Sequence, residues 1–450
     1  MRPFIVKPFQ SFSGTILLPG DKSIAHRAII LGALSHGNTI IENFPVNKDC
    51  LATIAAFQKL RVKITRKDNK VIVFGKGLHG LTKPTGPIFS GDSGTTFRLL
   101  LGVFAGQPFK SELIAGRFLS RRPMLRVNAP LRLMGADIKA YSLGAEEYPP
   151  VTIRGGDLGP IVYRMPVASA QVKSAILLAA LYAQGISRVI EPIATRDHTE
   201  RMLKSFGADI KADHRKPNTI TIRGNKELVS PKKIYIPADI SSAGFFIVAA
   251  LILPHSKICI RKASLNPTRM GAIRVLKRMG ADIKVTKSPL RLRSGQASHQ
   301  ATKYEPMGDI IVKSSRLKGT LIKKEEIPSL IDELPILMVA ACFAKGLTAF
   351  QGVDELRVKE TDRIKSMIEN LSKIGAKIQN LKAGKMENII IEGEKPLRGK
   401  RVRSFGDHRT AMSMVVAGLA ASGQTSIDDV SCIAKSFPDF LKILNTLSNK

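Results

Sequence analysis

The sequence predicts an α/β (α+β) protein of two domains, assembled from a repeated unit in which buried helices alternate with short strands. Two observations carry this reading. An element written LRLMGADIKA, LKSFGADIKA, LKRMGADIKV and LSKIGAKIQN recurs around Gly135, Gly207, Gly280 and Gly375, at intervals of 72, 73 and 95 residues, with a weaker relative, FQKLRVKITR, at Leu60. A period of that length marks a repeat architecture. In phase with it, a polar cluster six times opens a stretch rich in Ala and Leu: DKSIAHRAIILGAL, GDSGTTFRLLLGVFA, SAQVKSAILLAALYA, SSAGFFIVAALIL, DELPILMVAACFA and DHRTAMSMVVAGLA.

Each of these six stretches is expected as a helix that starts on capping-type residues, Ser, Thr or Asp, and buries the remainder. A β-like run follows, as in NTIIENF, SRVIEPI, SKICIRK and LTAFQGV, then a second helix ending in the glycine element, then another strand. The sixth unit ends after SFPDFLKILNTLSNK with a helix and no closing strands, which the strands before Pro19 can supply. One domain is therefore expected over 20–236 and the other over 1–19 plus 237–450, with the chain crossing near LPGDK and IPADI. At 450 residues the chain has room for both, since a single core seldom exceeds about 250–300 residues. The long interval is assigned to an insertion, SPLRLRSGQASHQATKYEP, centred on 294–306 and expected to be a surface loop of little functional weight.

The chain carries 70 Lys+Arg against 36 Asp+Glu, a net charge of +34 that attracts anions of any kind. The basic residues are spread along the chain, Trp is absent and only 6% of residues are aromatic, so platforms for stacking bases are few. No nucleic-acid partner is expected. Four cysteines, Cys50, Cys259, Cys342 and Cys432, form no CxxC pair, which argues against a zinc site and a disulfide scaffold. The longest apolar run is too short for a bilayer and no signal peptide is read, so a cytoplasmic protein without membrane contact is expected.

A helix N-terminus presents unpaired N–H groups and partial positive charge, which suits phosphate and carboxylate. Here the starts also carry Lys22, Ser23 and Arg27; Ser93, Gly94 and Thr95; Ser169 and Gln171; Asp332; and Asp407 and Arg409. The second helices add Arg122, Arg196, Lys359, Glu360, Arg363 and Lys435. Taken singly, a Ser or Asp at such a place is most often only a cap, and His26, His198 and His408 read as structural or surface residues. Cations at repeat-equivalent positions point instead to one shared anionic site.

LPGDKSIAHRA, GDSGTTFRLL, PVASAQVKSA, RDHTERM, RVKETDRI, GDHRTAM and AKSFPDF together closely resemble the 5-enolpyruvylshikimate-3-phosphate synthases (3-phosphoshikimate 1-carboxyvinyltransferases), within the enolpyruvyl transferases. The resemblance implies an enolpyruvyl-transferase-like fold of six βαβαββ units with buried helices, in two domains whose cleft holds the active site. It implies transfer of the enolpyruvyl group of phosphoenolpyruvate to the 5-hydroxyl of shikimate 3-phosphate with release of phosphate, on the route to chorismate. These two small molecules would be the only partners of a monomer that uses no cofactor and no metal. By position, Lys22, Ser23, Arg27, Ser169, Gln171, Thr195, Asp332 and Lys359 would bind shikimate 3-phosphate, Thr195 standing where Ser is usual. Lys22, Gly94, Arg122, Gln171, Arg363, Arg409 and Lys435 would bind phosphoenolpyruvate. Asp332 would be the base on the 5-hydroxyl and Glu360 the proton donor to the methylene carbon, with Lys22 the third catalytic group. Lys359 and Arg363 beside Glu360 favour its ionised form, which substrate binding and closure would have to offset.

Two positions qualify the match. Asp92 stands where Asn is common; as a helix cap it would be harmless, which is the favoured reading, and facing the cleft it would weaken phosphoenolpyruvate binding. Gly94 stands where glyphosate-insensitive members often carry Ala, so a glyphosate-sensitive enzyme is expected. The related UDP-N-acetylglucosamine enolpyruvyl transferases typically have Lys-Asn where this chain has DKS, and a Cys that GRFLSRRP lacks. RNA 3′-phosphate cyclases share the repeat unit, but cations gathered at helix starts differ from a continuous basic track. A catalytically inactive anion-binding relative is disfavoured by the presence of both carboxylates.

Overall fold

The computed structural model describes residues 3–213, 215, 217–287, 305–384 and 386–449. All but the end of the insertion, and with it the expectation of a surface loop, lies outside the described residues. The chain divides into two compact units. One, here the inserted unit, spans Gly20–Ile236 and includes Glu305; the other, the terminal unit, contains 3–19, 237–287 and 306–449 among the described residues. Each has its own apolar core.

The six Ala- and Leu-rich stretches form helices Lys22–Leu34 (α1), Gly94–Ala105 (α2) and Ala170–Ala180 (α3) in the inserted unit, and Ile240–Ile252 (α4), Leu334–Cys342 (α5) and His408–Leu419 (α6) in the terminal unit. They lack the polar stripe of surface helices and are buried on nearly every side beyond the first turn. Small residues let them approach: a Cβ on Gly102 of α2 would lie 2.3 Å from the carbonyl oxygen of Ala175 in α3. Five starts are capped by a side chain: Asp21, Ser93, Ser169, Asp239 and Asp407 each accept a backbone N–H of the first turn. The fifth helix departs from expectation, because Glu333, and not Asp332, stands at its N-cap position, and Glu333 makes no capping bond.

Among the described residues, five of the seven sheets share one topology. A short strand pairs in parallel with the strand that follows the buried helix; that strand pairs antiparallel with the last strand of the unit, and the third strand lies outermost. Strands Ile88–Phe89, Lys110–Ile114, Glu146–Arg154 and Asp137–Leu143 show it in order across the sheet. Two sheets borrow strands from distant sequence. Lys233–Tyr235, just before the chain leaves the inserted unit, pairs in parallel with Asn38–Glu42, and Ser11–Leu17 pairs in parallel with Lys257–Ser264. In the three-stranded sheet Phe4–Val6 pairs antiparallel with Thr425–Ile427, so the N-terminal strand completes the unit that the C-terminal sequence leaves open.

The recurrent glycines end the second helices. Gly135, Gly207, Gly280 and Gly375 have φ of 114°, 85°, 93° and 104°. In each, the following N–H reaches back to close the helix, as Ala136 N does to Leu131 O at 3.1 Å. The weaker copy at Leu60 makes the same turn with Arg61 at φ 62°, and Val62 N donates to Phe57 O at 3.0 Å.

Candidate active site

In the inserted unit, α1 turns Lys22, Ser23 and Arg27 toward its own N-terminus. The Lys22 ammonium meets Asp49 Oδ2 at 2.8 Å. Arg27 is buried and donates to Thr199 Oγ1 at 2.6 Å, Ser174 Oγ at 2.7 Å and Ser23 O at 2.9 Å. Burial lowers its pKa to about 10, with Glu200 and Asp21 opposing the shift. At α3, Ser169 caps the helix through Val172 N. Gln171 accepts from Arg98 Nη1 at 2.8 Å and donates to Thr95 Oγ1 at 3.0 Å; because Arg98 can only donate, this fixes which way the amide faces. The Thr195 hydroxyl donates to Glu191 Oε1.

Beneath these groups the Lys173 ammonium, with 1% of its side chain exposed, lies 3.0 Å from Glu191 Oε2 and 2.7 Å from Glu200 Oε1. Burial alone would pull Lys173 down, but the two carboxylates outweigh it and its pKa is raised. One ammonium shared between two acids leaves each acid half compensated. Glu200 Oε2 has no hydrogen-bond partner, and burial lifts the Glu200 carboxyl despite Lys173.

The loop before α2 brings Gly94 against two guanidinium groups: a Cβ there would lie 2.9 Å from Arg98 Nη1 and 3.0 Å from Arg122 Nη1. Asp92 neither caps α2, which Ser93 does, nor stands as a bare charge. Its Oδ1 accepts from Phe118 N at 2.9 Å and Leu119 N at 3.2 Å and so braces the loop leading to Arg122. The favoured reading of Asp92 as a helix cap is thus corrected: two backbone donors on a neighbouring loop take its charge. Glu305, at the end of the insertion, is buried and meets His198 Nδ1 at 2.7 Å, so this residue does not belong to an idle surface.

In the terminal unit the groups converge on Arg363, which opens the helix Arg363–Lys373 and has a side chain 1% exposed. Its Nε meets Asp407 Oδ2 at 2.8 Å, Nη1 meets Asp332 Oδ1 at 3.5 Å and Nη2 meets Glu360 Oε2. Burial works against the charge, yet Asp407, Glu360 and Asp332 together raise its pKa. Asp332 is also 3.5 Å from Arg409 Nη2, and its backbone oxygen accepts from Arg409 Nη1 at 2.8 Å. The Lys435 ammonium donates to Gly406 O at 3.4 Å, next to Asp407. Lys359 lies 3.4 Å from Glu355 Oε1. Asp332, Glu360, Arg363, Arg409 and Lys435 are therefore gathered around the start of α6. Among the described residues no group of acidic, His or Cys side chains is arranged to hold a metal ion, and no helix is long and apolar enough to cross a membrane.

The groups that hold the expected binding residues carry no signal of their own in the sequence: Asp49 for Lys22, Arg98 for Gln171, Glu191 for Thr195. Asp407 was noted only as a helix start, and its second oxygen proves to hold Arg363.

The family described as EPSP synthase (3-phosphoshikimate 1-carboxyvinyltransferase) matches residues 6–444. The chain belongs to the EPSP synthase family. Similar proteins named 3-phosphoshikimate 1-carboxyvinyltransferase come from Desulforamulus reducens, 46% identical over 98% of both chains, and from a Geobacter species, 47% identical over 99% of both. Among solved structures, EPSP synthase from Acinetobacter baumannii is 42% identical, with a TM-score of 0.84 over 100% of this chain and 98% of that one. The enolpyruvyl transferase NikO from Streptomyces tendae is 16% identical with a TM-score of 0.77 over 99% and 97%, a likeness of fold. The EPSP synthase fold of six related units accounts for the borrowed strands described above.

Proposed function

We propose that this chain transfers the enolpyruvyl group of phosphoenolpyruvate to the 5-hydroxyl of shikimate 3-phosphate and releases phosphate. Its membership of the EPSP synthase family over residues 6–444 carries this reading. In the reaction the 5-oxygen bonds to C2 of phosphoenolpyruvate while C3 gains a proton. The C2–O bond to phosphate then breaks, and the methyl group returns a proton to restore the methylene. A base must take the hydroxyl proton and an acid must serve C3.

Asp332 and Glu360 are proposed for these roles, Asp332 as the base. Arg363 faces both, so an anionic group of phosphoenolpyruvate arriving on Arg363 and Arg409 competes with the carboxylates for those guanidinium groups. Substrate binding thereby loosens Glu360 from its cation, which offsets the ionisation that Arg363 favours in the empty site. Asp332 suits its role because its carboxylate faces Arg363 and Arg409, the guanidinium groups assigned to phosphoenolpyruvate. Lys435, Lys22, Gly94 and Arg122 are assigned to phosphoenolpyruvate. Ser23, Arg27, Ser169, Thr195 and Lys359 are assigned to shikimate 3-phosphate, with Gln171 and Lys22 serving both. A cytoplasmic setting suits four unpaired cysteines.

The test is phosphate release from phosphoenolpyruvate with shikimate 3-phosphate as acceptor, beside UDP-N-acetylglucosamine. Release that requires shikimate 3-phosphate and falls by about two orders of magnitude or more in Asp332→Asn and in Glu360→Gln is expected. Release with the nucleotide sugar alone, or full activity in both variants, would refute the reading.

A further inference from the structure

We propose that His26, Thr53 and Thr96 are positioning residues for phosphoenolpyruvate: with Ser93 they form a buried hydrogen-bonded chain that holds the helix start bearing Lys22 and the one bearing Gly94 in a single geometry. The inference rests on the functional reading above.

Two rungs join α1 to the helix Lys48–Lys59. Lys22 and His26 are one turn apart on the first, Asp49 and Thr53 one turn apart on the second, so the pairs lie one above the other. The outer rung is ionic, Lys22 to Asp49 at 2.8 Å, with 18% and 14% of the side chains exposed. The inner rung is buried, His26 Nδ1 to Thr53 Oγ1 at 2.6 Å. It continues from Thr53 Oγ1 to Thr96 Oγ1 at 2.7 Å and from Thr96 Oγ1 to Ser93 Oγ at 2.8 Å. Ser93 caps α2, and the next residue is Gly94. The chain thus links three helices without leaving the core.

The two rungs differ in what a substrate does to them. An anion that engages Lys22 competes with Asp49, so the ionic rung weakens as the site fills. The inner rung keeps its bonds. Burial, together with Lys22 and Arg27, holds His26 well below its usual pKa and therefore neutral. Four buried polar side chains in a core that valine or alanine would fill at lower cost indicate a geometric task. Of the groups assigned to shikimate 3-phosphate alone, Arg27 is tied to Ser174 and Thr199 and Thr195 to Glu191, outside this chain. Breaking the inner chain at Thr96, whose partner Ser93 caps the helix that begins at Gly94, should therefore disturb phosphoenolpyruvate more than shikimate 3-phosphate.

Thr96→Val keeps the side-chain volume and removes the hydroxyl, and Thr96→Ser restores it. In the full-length enzyme Thr96→Val is expected to raise KM for phosphoenolpyruvate about five- to ten-fold, to leave KM for shikimate 3-phosphate within about two-fold, and to be rescued by Thr96→Ser. Thr53→Val and Thr53→Ser should repeat the pattern. Equal rises in both KM values, or a Thr96→Val enzyme that behaves as wild type, would overturn the inference. Should the valine variants fail to fold, His26→Asn is expected to show the same split. Calorimetric titration of phosphoenolpyruvate into wild type, Thr96→Val and Thr96→Ser reads the contrast without turnover. Equal affinities there would sink the positioning role, whereas wild type that releases no phosphate would sink only the functional reading.

Discussion

Lys173 offers the sharpest test of how the inserted unit supports its proposed substrate groups. Its ammonium is the shared counter-ion of Glu191 and Glu200, at 3.0 and 2.7 Å, with all three side chains buried. Replacing it by methionine retains much of the volume but strands two carboxylates in the core. Removing one partner of a buried ion pair costs about 3–5 kcal/mol. In a unit of this size each kcal/mol shifts Tm by about 2–4 °C, so Lys173→Met should melt roughly 6–20 °C below wild type. The deficit should also depend on pH with a definite sign. Without Lys173 the folded-state pKa of Glu191 and Glu200 rises above the unfolded value of about 4.3, so folding favours their protonated forms. That contribution is present below the unfolded pKa and lost as pH rises, so the deficit should be smallest near about pH 4–5 and widen toward about pH 7. Differential scanning calorimetry across that range measures it. Adding Glu191→Gln and Glu200→Gln to Lys173→Met should recover much of the loss by removing the buried charge. A Lys173→Met protein within about 2 °C of wild type at neutral pH, or a deficit that does not change with pH, would refute the assignment of Lys173 as the charge on which both acids depend.

Three further outcomes follow from other places in the fold. Gly94→Ala puts a methyl about 3 Å from guanidinium nitrogens of Arg98 and Arg122; overpacking of this kind costs about 1–3 kcal/mol, so KM for phosphoenolpyruvate should rise about ten-fold. Inhibition of the wild-type enzyme by glyphosate, the expected starting point, should weaken alongside it in steady-state assays. His26 has a folded pKa well below its unfolded value of about 6.5, so the unfolded chain takes up a proton that the folded one refuses; stability should fall as pH drops below about 6.5, by at most about 1.4 kcal/mol per pH unit from this residue. His26→Asn should flatten that part of a Tm-versus-pH curve, and parallel curves would count against it. Arg61→Gly relieves the strain of a left-handed residue, about 1–2 kcal/mol, and gives back about 0.5–1 kcal/mol in chain entropy, a net gain of up to about 1.5 kcal/mol in urea denaturation. Gly207→Ala, where an added methyl meets nothing within 4 Å, should lose about as much through the backbone alone.

Arg61 also shows what kind of feature sequence reading recovers. Five of the six repeats close the second helix with a residue at positive φ, and glycine is the inexpensive solution, so four of these five copies announce themselves. The copy at Leu60 reads as weaker because its turn is the same and only the residue differs. The buried helices were legible for an equally local reason: after a capped first turn they carry apolar residues on all sides. The strand exchanges are not local. That Phe4–Val6 should pair with Thr425–Ile427 could be argued only from the missing strands of the last repeat, and the pairing of Lys233–Tyr235 with Asn38–Glu42 left no trace in either segment.

The same division runs through the site. Residues expected to touch substrate stand at helix starts, where a cation or hydroxyl is conspicuous against a run of Ala and Leu. The residues that aim them come from other segments and have types too common to notice: Asp49 twenty-seven positions after Lys22, Arg98 seventy-three before Gln171, and Asp407 forty-four after Arg363. Asp332 joins the two levels. Five of the six buried helices spend a side chain on their own N-terminus, and the sixth begins at Glu333 with no capping bond. Glu333 turns instead to Ser241 and Arg269, and the neighbouring Asp332 carboxylate lies 3.5 Å from Arg363 Nη1 and from Arg409 Nη2. Read by its pattern alone, Asp332 is one more helix-start acid. An N-cap residue that makes no capping bond forgoes about 1 kcal/mol, and a departure of that kind at a single member of a repeated set, beside a carboxylate that faces two guanidinium groups, is best accounted for by chemistry at that helix start.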